Sequence, residues 1–407
     1  MFRLFIYSIF FISLSFLISE DLQAQNYPIA MSVKPEIDFA VYHYRFDSST
    51  IYFNLNPTSL LRIKPDSTTK FIKRFAIEGT YILLNDKKQT GSFSFNYIDT
   101  LENTTKYTIH DSINIALPVG TYNLIINTKD LNRNTITENT LLINKEDPST
   151  INFFHLTNLN GTTPCSAIIN TDDILIIKHL NPQIKKLYVD YINNDYPSVD
   201  PPFILYPEDN DPVKIDSSFV IDVPENGYTY LHFKKNGIYH IRIDTAKKNG
   251  FVLSKYHLNF PRVTDAKQLI LPLKYITSRA EYKKLTEAPN PKLVLDEFWI
   301  TKAKSQDRAR KAIQRFYARV EYANTVFTSY KEGWKTDRGC IFIVYGVPTS
   351  VNYNLDEEVW NYGEPDNINS LKFIFNKKQN TYTTNQYQLE RSTSFKNSWF
   401  ISTDNWQ

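Results

Sequence analysis

The sequence predicts a multidomain protein: two all-β, Ig-like sandwiches followed by an α+β C-terminal domain with a long amphipathic helix. Three observations predict this fold class. Between residues 27 and 262, short apolar runs alternate with turn residues, as in antiparallel sandwiches. After residue 262 the apolar spacing changes to three and four residues, the period of a helix. A length of 407 residues suits about three domains.

Residues 1–24 have the pattern of a secretory signal peptide. Arg3 gives the positive start, Leu4–Ile18 is mostly apolar, and Leu22-Gln23-Ala24 offers a small-residue cleavage site. The alternative is an uncleaved anchor, but the apolar run is shorter than the roughly 20 residues that span a bilayer. No cysteine near residue 20 provides a lipid attachment site. We therefore expect a periplasmic or extracellular protein without a transmembrane segment after cleavage.

Residues 25–145 are predicted to form the first sandwich and residues 146–262 the second. The boundary is the charged, proline-containing run Lys145–Ser149. Segment 195–212 contains five prolines and several acids, so we expect it to be irregular and exposed. The predicted strands are 39–46, 51–55, 71–84, 92–97, 112–117, 121–126 and 136–143, then 174–177, 184–192, 219–223, 228–233, 237–243 and 256–260.

Residues 263–407 are predicted to form the α+β domain. Gln306–Tyr330 shows apolar residues at spacings of three and four, which indicates one amphipathic helix. Gly333 is predicted to end this helix in a left-handed conformation. Cys340–Tyr345 is almost wholly apolar and is predicted to be a strand buried on both faces.

The turn between that helix and that strand contains a large aromatic residue, an acid and a base, and it allows two interpretations. In the structural one, Trp334 fills a gap, Thr336 or Asp337 bonds free backbone amides, and Arg338 pairs with a carboxylate. Asp337, Glu321 and Asp356 are the candidate carboxylates. In the functional one, Trp334, Asp337 and Arg338 form a small polar pocket for a sugar or a peptide. We expect the structural interpretation.

The run Gly333-Trp334-Lys335-Thr336-Asp337-Arg338-Gly339 resembles the GWxTD domain. Tyr345-Gly346 follows at the expected distance, and Trp360 lies in a run, Val359–Tyr362, that is similar to a strand of that family. The resemblance covers about the last third of the chain. It implies an envelope protein of Bacteroidota-type bacteria and an architecture, but no catalysis, because no reaction is established for the family.

The sequence shows no catalytic constellation. All seven histidines precede residue 258, so the predicted C-terminal domain lacks a Ser-His or Cys-His nucleophile. No Gly-rich phosphate loop, H-E-x-x-H or G-x-S-x-G motif occurs. His232 and His240 flank the Asn236-Gly237 turn and could face each other across a hairpin, where a metal site would need at least one further ligand. We expect instead two strand residues beside solvent. We expect no metal and no cofactor.

Cys165 and Cys340 are the two cysteines, and we expect both to be free, buried thiols. An alternative is that they pair in an oxidising compartment. Four three-residue runs, each an aspartate followed by a serine or threonine and a third residue, resemble the O-glycosylation signal of exported Bacteroidota proteins. Each run lies near an expected turn. Their acceptor residues are Ser67, Thr100, Ser112 and Thr245.

The net charge of +3 argues against a nucleic-acid partner. The sequence therefore predicts an exported, non-enzymatic envelope protein that acts in protein–protein interaction or assembly. Its partner would be an envelope or outer-membrane protein, for example in a secretion assembly. The alternative is a carbohydrate-binding or glycan-processing protein that uses the 333–339 region, with Trp360 as a further aromatic contact.

Overall fold

A β-rich N-terminal two thirds is followed by a helical C-terminal region, as the sequence predicts. The computed structural model describes residues 34–65, 70–84, 90–101, 108–169, 174–206, 213–354, 356–364, 370–404 and 406. The predicted signal peptide and Ser67 lie outside these residues. The strands form five sheets, and the main helices follow residue 265. The predicted boundaries after residues 145 and 262 stay predictions.

The first β unit consists of two antiparallel sheets that share one core. One sheet has the order β1-β2-β5 and the other β4-β3-β6-β7. Side chains of β6 alternate between buried and half-buried along its whole length, so every second residue enters the core. The strands are β1 (Glu36–Tyr42), β2 (Ser48–Asn56), β3 (Phe71–Leu83), β4 (Thr90–Leu101), β5 (Ile109–Ala116), β6 (Thr121–Asp130) and β7 (Thr135–Asn144).

The second β unit has a three-stranded sheet, β13-β10-β8, and a five-stranded sheet, β12-β11-β14-β15-β9. The strands are β8 (Phe154–Asn158), β9 (Ile168–Ile169), β10 (Leu175–His179), β11 (Lys186–Ile192), β12 (Ser217–Asp222), β13 (Tyr228–Leu231), β14 (Gly237–Arg242) and β15 (Phe251–Lys255). The strand predicted at 256–260 is wrong, because the last strand ends at Lys255. His232 and His240 do not face each other across a hairpin, because β13 and β14 belong to different sheets.

Residues 193–206, which we call the strap, connect β11 to the segment before β12. The strap has no regular secondary structure, as predicted for 195–212. The predicted exposure is found at Asp195, Pro197 and Ile204–Tyr206, but residues 198–203 are half-buried or buried, and residues 207–212 lie outside the described part of the chain. Pro202 is buried, and Val199 and Phe203 pack against the core of the C-terminal region. The strap therefore extends away from the second β unit and packs against the C-terminal region.

The C-terminal region combines six helices of the described chain with a four-stranded sheet of order β16-β17-β18-β19. The helices are α1 (Ala266–Ile270), α2 (Arg279–Thr286), α3 (Pro291–Ala303), α4 (Gln306–Val326), α5 (Asp337–Tyr345) and α6 (Phe395–Asp404). The strands are β16 (Ser350–Tyr353), β17 (Glu357–Tyr362), β18 (Leu371–Lys377) and β19 (Tyr387–Leu389). Within the described ranges, no helix has both the length and the apolar character that crossing a bilayer requires.

The strand predicted at Cys340–Tyr345 is a helix, α5. Every residue from Asp337 to Val344 is buried, so the helix has no solvent face and no 3.6-residue period to reveal it. Gly346 follows with φ of 88° and ends the helix. The preceding helix, α4, ends at Val326 rather than at Tyr330.

Candidate functional site: the turn before helix α5

Two glycines allow close backbone contacts, one between the turn and helix α4 and one within the turn itself. Gly333 lies in a 3₁₀ turn, and a Cβ there would sit 1.8 Å from the carbonyl oxygen of Ala323. A Cβ on Gly339 would sit 2.0 Å from the carbonyl oxygen of Gly333. The predicted left-handed conformation of Gly333 is wrong, because its φ is not positive, and α4 has already ended at Val326, seven residues earlier. Close backbone approach explains both glycines instead.

Trp334 is buried and fixed at each of its polar groups. Its side chain is 3% exposed, and Nε1 donates a hydrogen bond to Glu332. Its backbone N–H donates to Asn324 Oδ1 at 3.1 Å, and its carbonyl accepts from the Tyr275 hydroxyl at 3.0 Å. Lys335 Nζ lies 3.2 Å from Glu332 as an ion pair. The indole therefore packs inside the protein rather than on its surface.

Thr336 and Asp337 start helix α5. Thr336 Oγ1 accepts from the backbone N–H of Gly339 at 3.1 Å, which makes it the N-cap, and donates to the Gly333 carbonyl at 2.7 Å. Asp337 Oδ2 accepts from the backbone N–H of Leu389 at 3.1 Å, and Oδ1 forms an ion pair with Arg391. The predicted bonding of backbone amides is thus present, but Asp337 serves strand β19 instead of its own turn.

Arg338 is 6% exposed and is bonded on both arms of its guanidinium. Nη1 lies 2.9 Å from Glu358 Oε2, and Nη2 donates to the Asn385 carbonyl at 3.0 Å. Its Cζ lies 4.0 Å from the centre of the Tyr387 ring. Burial lowers the pKa of Arg338, and the Glu358 carboxylate partly offsets that shift.

The partners predicted for Arg338 are wrong. Glu321 pairs with Arg262, and Asp337 pairs with Arg391. The carboxylate that pairs with the guanidinium is that of Glu358, in strand β17. Because β17 is paired with β18 and β19 follows beyond it, Arg338 ties helix α5 to this sheet.

The remaining motif residues close the far end of α5. The Tyr345 hydroxyl lies 3.1 Å from Ser398 Oγ on α6, and Tyr362 donates to the Gly346 carbonyl at 2.9 Å. A Cβ on Gly346 would meet the Arg319 guanidinium at 2.5 Å. Trp360 is 2% exposed and packs against Phe327 and Phe375. All of these contacts are internal to the C-terminal region.

Comparison with known proteins agrees with this geometry. Residues 237–407 match the sequence profile of the GWxTD domain. The chain is a GWxTD domain-containing protein. No curated protein matches the chain. The match begins in strand β14, so the matched region includes His240 and His257, and the inference that the domain contains no histidine does not hold for this extent.

His240 within the matched GWxTD region is buried beside charged groups. Its Nδ1 lies 4.0 Å from Asp190 Oδ2, and its ring makes an edge contact with Tyr382 at 5.4 Å. Burial and the neighbouring Arg242 lower its pKa to about 4, against the opposing effect of Asp190. Among the described residues, no group of three or more His, Cys, Asp or Glu side chains is arranged to hold a metal ion.

Arg391 contacts the turn at residues 333–339, which we call the GWxTD turn, and the sequence analysis did not identify it. It lies 54 residues after Asp337, and no local spacing connects the two positions. Asn324 and Asn385, which bond Trp334 and Arg338, were missed for the same reason. Only a tertiary structure brings these side chains together.

A cleft of about 260 Å³ lies between the second β unit and the GWxTD turn. Trp334, Lys335 and Glu332 form one wall, and the amides of Asn194 and Gln268 are part of the others. Its volume falls below the range of about 300–1,000 Å³ that small-molecule sites occupy. The cleft is therefore small for a ligand that must be enclosed.

The other predicted sites lie apart from the GWxTD turn. Cys165 and Cys340 are both free, as predicted; Cys340 is buried and Cys165 is half-buried. Burial raises the pKa of the Cys165 thiol to about 12 and that of Cys340 well above its usual value. Of the glycosylation candidates, Thr245 lies in an exposed turn, Thr100 lies one residue before the end of strand β4, and Ser112 lies within strand β5.

Proposed function

We propose that this GWxTD domain-containing protein is exported and acts in the cell envelope by binding another protein, without catalysing a reaction. The observation that carries the proposal is strand β12, an open edge of the five-stranded sheet. Support also comes from the GWxTD turn, where Asp337 and Arg338 are already bonded to protein groups. These charges are engaged in holding the fold.

Strand β12 has the properties of a docking edge. Five of its six residues are exposed, including Phe219 at 40% and Val220 at 51%. The strand, Ser217–Asp222, contains no proline, lysine or arginine, the residues with which proteins commonly protect an edge. An extended segment of a partner adds to such an edge through main-chain hydrogen bonds, with side-chain contacts giving specificity.

We also propose the finer architecture that the sequence predicts. Two sheets with a shared core, antiparallel except for the β15–β9 pair of the second unit, support an Ig-like sandwich for each β unit. Helix α4 would be the amphipathic helix of the third module, since Phe316, Val320 and Ala323 on one side are fully buried. In this arrangement the two sandwiches hold the edge strand and the GWxTD domain at fixed positions.

Export is supported by the pattern of residues 1–24. N-terminal sequencing of the secreted or periplasmic form is expected to begin at Gln25. O-glycosylation at Thr245 is compatible with its exposed turn. Recovery of an uncleaved chain in the inner membrane would contradict the proposed localisation.

The experiment for the proposed function places a photo-reactive amino acid at Val220 in the native host. We expect a discrete cross-linked product with one envelope protein, identified by mass spectrometry. The control places the same amino acid at Leu159, which is 63% exposed but lies in a turn rather than on an edge. Equal or absent cross-linking at the two positions would reject β12 as the docking edge.

Carbohydrate binding by the GWxTD region remains the alternative function. The cleft beside Trp334 is the observation that favours it, since an indole and several amides suit sugar rings. The burial of Trp334, at 3% exposure, argues against stacking on a glycan. Binding to a glycan array that Gln268→Ala abolishes, with unchanged tryptophan fluorescence, would favour this alternative over protein binding.

A further inference from the structure

The first residues of the strap, residues 193–206, bond to its own β unit. Asn193 donates its backbone N–H to Asp216 at 2.7 Å, and Asn194 Nδ2 donates to the Lys255 carbonyl at 3.1 Å. From Tyr196 onward, the strap contacts the C-terminal region that follows residue 265. Tyr196, for example, packs edge-on against Tyr330 at 4.8 Å.

Arg391 makes the central polar contacts to the strap. Its Nη1 donates to the carbonyls of Asp200, Pro201 and Ile204 at 3.1, 2.8 and 3.3 Å. Its Nη2 pairs with Asp337, the acid of the GWxTD turn. The motif aspartate therefore orients the arginine that binds the strap.

Main-chain hydrogen bonds extend the contact on both sides of Arg391. Val199 donates its N–H to the Lys335 carbonyl at 3.2 Å, and the Ser392 N–H donates to the Pro202 carbonyl at 3.2 Å. These hydrogen bonds contact main-chain atoms of the strap rather than its side chains. They fit a segment with the backbone conformation of the strap, which turns where the Ile204 N–H donates to the Pro201 carbonyl at 3.0 Å, irrespective of most of its sequence.

Three side-chain contacts give the site its specificity. Phe203 lies between Trp399 and Phe400, at ring-centre distances of 6.4 and 5.6 Å. The Tyr206 ring stacks on the Arg391 guanidinium at 4.2 Å. Asp200 forms an ion pair of 3.1 Å with Lys274. These are contacts for an acid and for aromatic residues that follow the prolines.

The hydrogen-bond donors of Arg391 match the carbonyl acceptors of the strap. A guanidinium has five donors and no acceptor, and prolines offer carbonyls without an N–H that would need its own partner. Proline also fixes its own φ at a value suited to the second residue of a turn, the place of Pro202 in the turn Pro201–Ile204, so less entropy is lost on binding. Pro201 and Pro202 supply the two prolines of that turn.

We propose that this face of the GWxTD domain is a receptor for an acid–proline–proline–aromatic segment with a turn at its prolines, and that this chain fills it in cis with its strap. The face consists of Lys274, Lys335, Asp337, Arg391, Ser392 and Trp399. The partner is a protein that presents a segment of the same chemistry and displaces the strap. The receptor rests on the proposed role in protein binding and names the chemistry of the partner.

Occupation in cis controls the access of that partner. A tethered segment has an effective concentration in the millimolar range, so it suppresses binding of the same segment in trans. A partner segment therefore competes with the strap for this one face.

The test uses the full chain with residues 197–206 replaced by a glycine–serine segment of equal length. A labelled peptide of residues 196–206 is titrated, and binding is followed by fluorescence anisotropy. We expect the strap-replaced chain to bind the peptide at least ~10-fold more tightly than the unaltered chain. A control peptide with Pro201→Gly, Pro202→Gly and Phe203→Ala is expected to bind at least ~10-fold more weakly.

Equal binding of the peptide by both chains, or no binding by the folded strap-replaced chain at about 5 mM, would overturn the receptor. If tryptophan fluorescence shows that the strap-replaced chain is unfolded, the double variant Phe203→Ala/Tyr206→Ala in the full chain replaces it. A gain in peptide binding supports the receptor there, and no gain overturns it. Cross-linking at Val220 without peptide binding would retain the docking edge and remove the receptor, whereas the reverse result would retain the receptor alone.

Discussion

The first β unit and the GWxTD domain each bury a cation, but they hold it in different ways. In the β unit, Lys145 is 3% exposed, and its Nζ bonds to the carbonyls of Ser48 and Leu117 at 2.8 and 2.6 Å. In the GWxTD domain, Arg338 and Arg391 bond to carbonyls and also pair with carboxylates.

The difference follows from the chemistry of the two side chains. Burial lowers the pKa of Lys145 to about 8, and Asp47 opposes the shift. This lysine can therefore avoid the free-energy cost of a buried charge by losing its proton. A guanidinium remains charged at any ordinary pH, so its burial requires an opposite charge. The β unit therefore contains a titratable element, whereas the GWxTD turn depends on fixed ion pairs.

The largest expected effect comes from breaking one of those ion pairs. Arg338→Ala leaves Glu358, whose side chain is 17% exposed, without its cation. We expect a loss of about 3–5 kcal/mol in the free energy of unfolding, since one charge stays buried without a partner. All five tryptophans lie between residues 299 and 406, so tryptophan fluorescence in urea reports on this region. A loss below about 1 kcal/mol would show that water replaces the arginine.

A second comparison uses the same substitution in both regions. Gly333→Ala places a Cβ 1.8 Å from a backbone oxygen of helix α4, whereas Gly79→Ala meets the half-buried Phe93 ring at 2.1 Å. We expect a loss of about 3 kcal/mol at Gly333 and about 1 kcal/mol at Gly79, because a ring moves more easily than a helix backbone. Tryptophan fluorescence measures the first and far-ultraviolet circular dichroism the second. Equal losses would contradict close backbone approach as the reason for Gly333.

The sequence predicts the β unit better than the GWxTD turn, for a physical reason. Strand β6 alternates buried and half-buried residues, and that period is visible in Thr121–Asp130. Helix α5 is buried on all sides, so its apolar run has no period and resembles a strand. The Asp337–Arg391 pair spans 54 residues, and a separation of that length leaves no pattern in a single sequence.

The titratable lysine predicts a pH dependence for the first β unit under alkaline conditions. The folded pKa of Lys145, about 8, lies below its ordinary value of 10.5. Between these values the unfolded chain binds more protons than the folded one, so stability rises with pH. We expect a gain of roughly 1–2 kcal/mol between pH 8 and 9.5, below the range where tyrosines ionise.

Circular dichroism of urea unfolding at several pH values measures that gain, and Lys145→Met is the matched control. The variant removes the titrating group but keeps an unbranched side chain of similar length, so its stability is expected to stay level over the same range. An equal rise in the variant would assign the pH dependence to another group.

The smallest expected effect concerns a second Arg–Glu pair of the same region, on its surface. Arg262 Nε lies 3.0 Å from Glu321 Oε1, close to the 2.9 Å of Arg338–Glu358, but the side chains are 62% and 40% exposed. Because water solvates both charges when they separate, Arg262→Ala is expected to lower the free energy of unfolding by at most about 0.5 kcal/mol. Tryptophan fluorescence in urea measures both variants under one condition. A loss at Arg262 as large as that at Arg338 would mean that pairing, and not burial, determines the stability of the GWxTD turn.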